Sequence, residues 1–460
     1  MRGYKPKIKP WPHQKHALKR LWKMKSALLW ADVGTGKTKV AVDYALAQHH
    51  RGRVRKVLIA CPLAAVGVWK NEFLKHDPSV KIITRNDVES LDGLVPLTHD
   101  VRTWAEKGQG LGVVVVTYEA LSRFVRLFAD SYAPDLLILD ESHYIKSYSA
   151  IRTRRALAVA RVAPYRLLLS GTPAPNGYID LYWQVKAIHP NILPPTIKKF
   201  REEYCNMGGY MGKEIIGYKN TKKLAKELSK VVIRIPKSVM KLPPVIDQVV
   251  PVKLDKSTRT VYEALKKDLV ANLASGHTIR ASNQLVLLLK LMQTTNGMVE
   301  GKRLGSEKLR VLQELIQNEP GKVVVFCHFV QDISRICEML SNAGISHAVL
   351  RGGKSGSERD QIIRAFQTQN DPKVLVAQMK AGGIAVTLTA ASVAIFYSLT
   401  FDAEAYEQAR GRIHRGGQTE TCRYIHLIAE NTVDEAIYEA LHKKMQTQEV
   451  LGNIVRRLTS

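Results

Sequence analysis

Short runs rich in Val, Ile and Leu, nearly all of them uncharged, recur along this chain. Each is followed by a longer stretch in which apolar residues return at helical spacing. In the first half the runs are Val57–Cys61, Val113–Val116, Leu136–Leu139 and Arg166–Leu169, with a further apolar segment at Ala27–Trp30. In the second half they are Val323–Cys327, Val374–Ala377, Ala394–Leu399 and Tyr424–Ile428. A strand with no polar face is one covered on both sides, and strands alternating with amphipathic helices predict parallel α/β sheets. The middle of the chain breaks the rhythm. Pro190, Pro194, Pro195, Pro236, Pro243 and Pro244 punctuate a basic region from about 188 to 250, where a lobe boundary belongs. Val261–Met292 is helical in pattern. The pattern therefore predicts an α/β protein of two parallel-sheet lobes in tandem. The first spans residues 1–235, a helical, Pro-punctuated junction spans 236–300, and the second lobe spans 301–460. Met207–Tyr218 resembles two strand fragments around a turn, although an exposed loop is the expectation.

Composition adds one unusual fact. Across 460 residues, 69 Lys and Arg face 41 Asp and Glu, leaving a formal charge of +28. Such an excess favours a polyanionic partner, and nucleic acid is the obvious one. The five cysteines, Cys61, Cys205, Cys327, Cys337 and Cys422, form no close pair of the metal-binding type and read as reduced residues of an intracellular protein. The basic start, Met1–Lys9, leads into Pro10-Trp11-Pro12 rather than an apolar leader. Ala381–Phe401 is uncharged and long enough to span a bilayer, but its Gly382-Gly383 pair and scattered Thr and Ser fit a loop, a short helix and a buried strand better. No membrane association is expected, and the expected location is the cytoplasm, that of the host cell if the source is viral.

The candidate chemistry is concentrated in two places of the first lobe. Ala31-Asp32-Val33-Gly34-Thr35-Gly36-Lys37-Thr38 lies between an apolar strand and a helical run, Val40–Gln48. This meets the phosphate-loop pattern G-x-x-x-x-G-K-[ST] except that Ala31 holds the first glycine position. Gly34 and Gly36 let backbone N–H groups face phosphate oxygens, Lys37 supplies a point charge to the terminal phosphates, and the Thr38 hydroxyl is a magnesium ligand. The second place is Leu136-Leu-Ile-Leu-Asp140-Glu141-Ser142-His143, a buried strand delivering two acids to its C-terminal edge. Asp140 is placed to hold Mg²⁺ and Glu141 to orient and deprotonate an attacking water. His143 is either a satisfied core histidine or a coupling residue. Together the motifs make ATP with Mg²⁺ the expected cofactor pair and triphosphate hydrolysis the leading chemistry.

The second lobe has no phosphate loop and ends in Tyr406-Glu-Gln408-Ala-Arg410-Gly-Arg412-Ile-His-Arg415-Gly-Gly-Gln418. Alone, this reads as a solvated basic helix face. On a lobe facing a nucleotide held by its partner lobe, such arginines can instead reach the γ-phosphate, where a finger contributes about 10³–10⁵ in rate.

Read with its flanking motifs, the chain resembles the superfamily 2 helicases, and within them the Swi/Snf-type DEAH-box DNA translocases. The resemblance rests on Gln14, Pro62-Leu63 with Trp69-Lys-Asn-Glu72, Thr117-Tyr118-Glu119, and Asp140–His143 with Ile145-Lys146. It continues through Ser170-Gly171-Thr172-Pro173 with Asn176, Ile233-Arg234 with Leu242-Pro243-Pro244, and Ala381-Gly382-Gly383 with Leu388-Thr389. Gln408-Ala409, Arg412, His414-Arg415, Gly417-Gln418 and Thr432-Val433-Asp434-Glu435 complete it, in the family's order. The resemblance implies two RecA-like lobes and an adenine-reading role for Gln14. It also implies coupling roles for His143, Ser170, Thr172 and Gln408, γ-phosphate roles for Arg412 and Arg415 with Arg415 as the finger, and nucleic-acid contacts at Thr117, Lys380 and Gly382. Arg410 has no counterpart in the motif and is expected to be a surface charge. Gln378-Met379-Lys380 departs from the family's usual Ser/Thr-Thr-Arg, and Ala385 replaces a common Gly. The resemblance implies something close to a minimal motor, as in compact bacterial and viral members.

The implied activity is ATP-dependent translocation on double-stranded DNA, with remodelling of DNA or protein–DNA complexes. A strand-separating DNA or RNA helicase is the alternative within enzymes, and a nucleic-acid binding protein with a vestigial ATPase is the alternative outside them. The retained Lys37, Asp140, Glu141, Arg412 and Arg415 weigh against the last. A monomer is compatible with the sequence.

Overall fold

The computed structural model describes residues 4–84, 94–209, 212, 214–274, 281–353, 356–379 and 386–443. The chain divides into two compact units, Met1–Met240 and Lys241–Ser460.

Unit 1 is built on seven strands: β1 (Ala27–Ala31), β2 (Lys56–Cys61), β3 (Lys81–Thr84), β4 (Gly112–Thr117), β5 (Leu136–Asp140), β6 (Tyr165–Ser170) and β9 (Val232–Ile235). They form one parallel sheet in the order β3-β4-β2-β5-β6-β1-β9. Side chains alternate between two cores. Leu28, Leu58, Val114, Leu137 and Leu168 face one layer of helices. Leu29, Ile59, Val115, Ile138 and Leu169 face the other. That is the period of two expected of strands covered on both faces, and it explains why the middles of these strands carry no charge. Between β6 and β9 lies a separate antiparallel hairpin, β7 (Cys205–Gly208) with β8 (Glu214–Tyr218). The exposed loop expected over Met207–Tyr218 is therefore corrected: Met207 opposes Ile215 in the ladder, with Ile216 largely exposed.

Unit 2 begins with β10 (Val245–Val252), followed by a two-stranded piece, β11 (Met298–Val299) with β12 (Lys302–Arg303). The remaining strands are β13 (Lys322–Cys327), β14 (His347–Leu350), β15 (Val374–Gln378), β16 (Ala391–Phe396) and β17 (Cys422–Ala429). The parallel order is β10-β17-β16-β13-β15-β14. The stretch expected as junction contains β10, which pairs along its whole length with β17, from Val245 opposite Cys422 to Val252 opposite Ala429. Two helices, Lys256–Ala274 and Ala281–Thr295, lie where helical spacing was read. The architecture is thus α/β with two parallel sheets, as expected.

All five cysteines are free, four of them buried. No helix among the described residues is long and apolar enough to cross a membrane.

Candidate nucleotide site

Strand β1 ends at Ala31, and the chain turns through Asp32–Gly36 into the helix Lys37–His50. The turn needs left-handed backbone at Gly34 (φ +88°) and Gly36 (φ +80°), which glycine adopts without Cβ strain. A Cβ on Gly36 would also stand 2.2 Å from Gln14 Nε2. Gln14 is buried beneath the loop. Its amide donates long bonds to the carbonyls of Thr35 (3.4 Å) and Gly36 (3.5 Å), and its Oε1 accepts from Trp11 N at 2.8 Å. Thr35 closes the turn by donating to Asp32 O at 2.7 Å. The Asp32 carboxylate faces away from this task. It pairs with Arg234 at 2.7 Å and accepts from Lys237 N at 2.8 Å, pinning the loop to the chain beyond β9. Val33 and Thr38 are half-buried, Thr38 in the first turn of the helix.

Strand β5 brings the two acids to the same sheet edge. Asp140 is buried and held by three neighbours: Trp69 Nε1 donates to Oδ2 at 2.9 Å, Glu141 N donates to Oδ1 at 3.0 Å, and Tyr118 OH donates to the backbone carbonyl at 2.8 Å. Burial, with the adjacent Glu141 adding to it and Lys37 opposing it, pushes the Asp140 carboxyl up to about 6. Glu141 sits at φ +48°, a conformation that costs a non-glycine residue of order 1 kcal/mol and recurs where a side chain must be aimed. Its carboxylate lies 3.9 Å from Lys37 Nζ and 3.6 Å from His143 Nδ1. The His143 nitrogen is also 3.4 Å from the buried Ser170 Oγ, and burial lowers its basicity, favouring the neutral ring. Ser170 Oγ in turn accepts from Thr172 N at 3.2 Å. Gly171 completes the crevice: an added Cβ would meet Lys37 Nζ at 3.5 Å and Val33 at 3.4 Å. The Thr172 hydroxyl is buried with no hydrogen-bond partner.

Lys37, Asp140, Glu141, His143 and Ser170 therefore converge at the C-terminal edges of β1, β5 and β6, the place where an open α/β sheet binds ligands. The donors suit a magnesium triphosphate. Two glycines open the loop, a lysine has only a long ion pair, and a hydroxyl (Thr38) and a carboxylate (Asp140) are the oxygen ligands magnesium takes. The Thr117 hydroxyl accepts from Ala120 N at 3.2 Å and caps the helix Tyr118–Arg123.

In unit 2 the helix Ala403–Ile413 carries the arginine segment. Arg412 is buried, and its carbonyl accepts from Leu388 N at 2.9 Å. Arg415 is half-buried, with Nη1 donating to Val386 O at 3.0 Å. Gln408 donates to Glu404 at 3.1 Å, and His414 Nε2 lies 2.9 Å from Pro243 O. Arg410 is not the free surface charge expected. Its guanidinium grips Asp247 with both Nη atoms, lies 4.1 Å from the Tyr424 ring centroid, and its side chain is 15% exposed. Lys380 and Gly382 lie outside the described residues.

The SNF2-related domain family matches residues 13–299, more than half of the chain, and the helicase conserved C-terminal domain matches 307–417. The chain belongs to the SNF2-related family. An uncharacterized ATP-dependent helicase of Mycoplasma genitalium is 25% identical over 429 residues, 91% of this chain and 39% of the relative. The SWI/SNF-related matrix-associated actin-dependent regulator of chromatin subfamily A-like protein 1 of Xenopus tropicalis is 25% identical over 92% of this chain and 42% of its own. Human DNA annealing helicase and endonuclease ZRANB3 is 27% identical over 95% and 40%. The chain thus spans about two fifths of the length of these relatives. Among solved structures, the Sulfolobus solfataricus SWI2/SNF2 ATPase core in complex with dsDNA is 22% identical, covering 99% of this chain and 95% of that one, with a TM-score of 0.47.

Within this SNF2-related chain, two functional contacts escaped sequence reasoning. Trp69 was visible only as part of the Trp-x-x-Glu segment, yet its indole fixes the Asp140 carboxylate. The Asp32–Arg234 pair joins residues 202 positions apart, a separation to which no local pattern points.

Proposed function

We propose that the chain is an ATP-hydrolysing motor that translocates along duplex DNA and remodels DNA or protein–DNA complexes. The observation that carries this reading is the convergence of Lys37 and Glu141, 3.9 Å apart, with Asp140 and Ser170 at one sheet edge. In this reading the Gly34–Lys37 backbone and the Lys37 ammonium cradle the phosphates, and Gln14, buttressed by Trp11, lies beside the loop as the adenine reader. Thr38 and Asp140 would hold Mg²⁺, which would supply charge neutralisation for phosphoryl transfer. Trp69 keeps the Asp140 carboxylate aimed. Glu141 orients the attacking water and takes its proton, while the neutral His143 relays its position to Ser170 and through it to Thr172. By the family resemblance Arg412 and Arg415 are the γ-phosphate arginines, with Arg415 as the finger. The +28 charge supports a polyanionic track, and the human relative is named a DNA annealing helicase.

The β7–β8 hairpin, with Met207 and Ile216 exposed, gives strand separation a candidate wedge and keeps that reading as the second one. One comparison decides. ATP turnover is measured with duplex DNA, single-stranded DNA and RNA, beside displacement of a triplex strand and of a paired strand. The motor reading expects strongest stimulation by duplex and triplex displacement without release of the paired strand. Equal turnover with and without duplex removes it.

A further inference from the structure

The N-terminal end of the first sheet, opposite the nucleotide loop, carries a second concentration of positive charge. A cavity of about 340 Å³ opens there between the helices Ile151–Val162 and Leu181–Ile188 and the Pro190–Pro195 loop. Arg161, Arg166 and Lys186 line it, with the Trp183 indole as one wall and Asn191 at the rim. Among the described residues, no carboxylate lines it. Arg166 is the second residue of β6 and Ser170 the last, so at about 3.3 Å per residue the cavity lies roughly 13 Å from the catalytic crevice.

The electrostatics of this cavity are unbalanced. Arg166 is half-buried and its Nε is buried without a hydrogen-bond partner. Burial alone, with no charged neighbour compensating, lowers its proton affinity. Lys186 donates only to neutral carbonyls, Pro190 O at 2.5 Å and Leu193 O at 3.0 Å, and burial lowers its proton affinity too. Buried cations are ordinarily paired, because desolvating a charge without a partner is costly. Three cations around one hollow, with no acid, describe half of an ion-binding site.

We propose that this cavity binds a phosphomonoester. Three cations are better matched by a group carrying about −1.5 to −2 at neutral pH than by a single carboxylate. Guanidinium forks from Arg161 and Arg166 suit tetrahedral oxygens. The Trp183 ring, stacked on Tyr148 at 4.5 Å, offers its remaining flank to the group that bears the phosphate.

Calorimetric titration of the full chain at constant ionic strength tests this, using inorganic phosphate, phenyl phosphate and glutarate as probes. Phosphate should report two classes of site, one abolished by Lys37→Ala at the nucleotide loop and the other by Arg166→Gln. Arg161→Gln, at the exposed rim, should weaken the second class about tenfold while leaving ATP turnover unchanged, the loss of one charge-assisted contact. Phenyl phosphate should bind that class more tightly than phosphate, and Trp183→Ala should erase the difference. If Arg166→Gln does not fold, Arg161→Gln carries the test. Isotherms of Arg161→Gln and Arg166→Gln that superimpose on wild type overturn the site, and so does glutarate binding as tightly as phosphate. Loss of turnover in Lys37→Ala speaks only to the motor.

Discussion

The two units share one architecture and use their charged residues in opposite ways. In unit 1 the parallel strands deliver Lys37, Asp140, Glu141 and Ser170 to one crevice, where Trp69 anchors Asp140 but the Lys37–Glu141, Glu141–His143 and His143–Ser170 contacts are long. In unit 2 the charges are tied inward. Lys308 donates to Asp434 at 2.5 Å and to Asn296 at 3.0 Å, while Asn296 and Ser398 both donate to Asp332, at 3.1 and 2.7 Å. Arg335 donates to the carbonyls of Asn296, Gly297 and Gly305, and Arg410 grips Asp247. A satisfied polar network rigidifies, whereas a loosely satisfied one can exchange partners when a ligand arrives. The same sheet therefore gives a reactive edge in one unit and a polar keystone in the other, and the difference lies in the loops and caps rather than in the strands.

The largest effect should come from Arg415 in unit 2, whose Nη1 donates to the Val386 carbonyl at 3.0 Å. Arg415→Ala is expected to lower duplex-stimulated ATP turnover by about 10³-fold or more while leaving nucleotide binding to unit 1 within a few fold, read by steady-state turnover and equilibrium titration. Unchanged turnover would leave Arg415 a purely structural residue and sharpen the contrast between the units. Next is Glu141→Gln, expected to reduce turnover by about 10²–10⁴-fold with ATP and DNA binding retained, the usual loss of a general base. Third is Lys308→Met in the unit 2 keystone. It strands a buried Asp434 carboxylate and should destabilise that unit by about 3–5 kcal/mol in denaturant unfolding. A shift under 1 kcal/mol would mean that the network is not the keystone described.

These assignments differ in how far the sequence announced them. The central strands β2, β4, β5 and β13 were plain because both their faces are covered and every side chain in Val57–Cys61, Val113–Val116, Leu136–Leu139 and Val323–Cys327 is apolar. The edge strands β3, β9, β10 and β14 were not. Solvent on one side lets Lys81, Arg234 and Asp247 into the run, and the pattern loses its signature. The phosphate loop and acid pair were legible because local backbone demands fix their residue types. The keystone was not, because Lys308, Asp332 and Asp434 lie on three helices, and an isolated charge in a helix reads as a solvated face. Arg410 was misread for the same reason: its partner Asp247 lies 163 positions away.

The subtlest prediction asks whether the keystone is tuned as well as satisfied. Asp332 is buried, and burial pushes its carboxyl up to about 7 against the pull of Ser398, Lys308 and Arg335. Its ordinary value when unfolded is about 3.9. Between those values the folded state binds the extra proton, so from this group stability falls as pH rises from about 4 to 7 and stays low above it. Asp332→Asn keeps an oxygen to accept from Ser398 and Asn296 but has no proton to lose. At pH 8 the variant should be more stable than wild type by on the order of 1–2 kcal/mol. At about pH 4, near the unfolded value, most of that advantage should be gone. Denaturant unfolding at the two pH values reads the difference directly. A variant less stable than wild type at pH 8 would show that the Asp332 charge is a favourable partner for Lys308 and Arg335, and that unit 2 holds its acids by attraction rather than by burial.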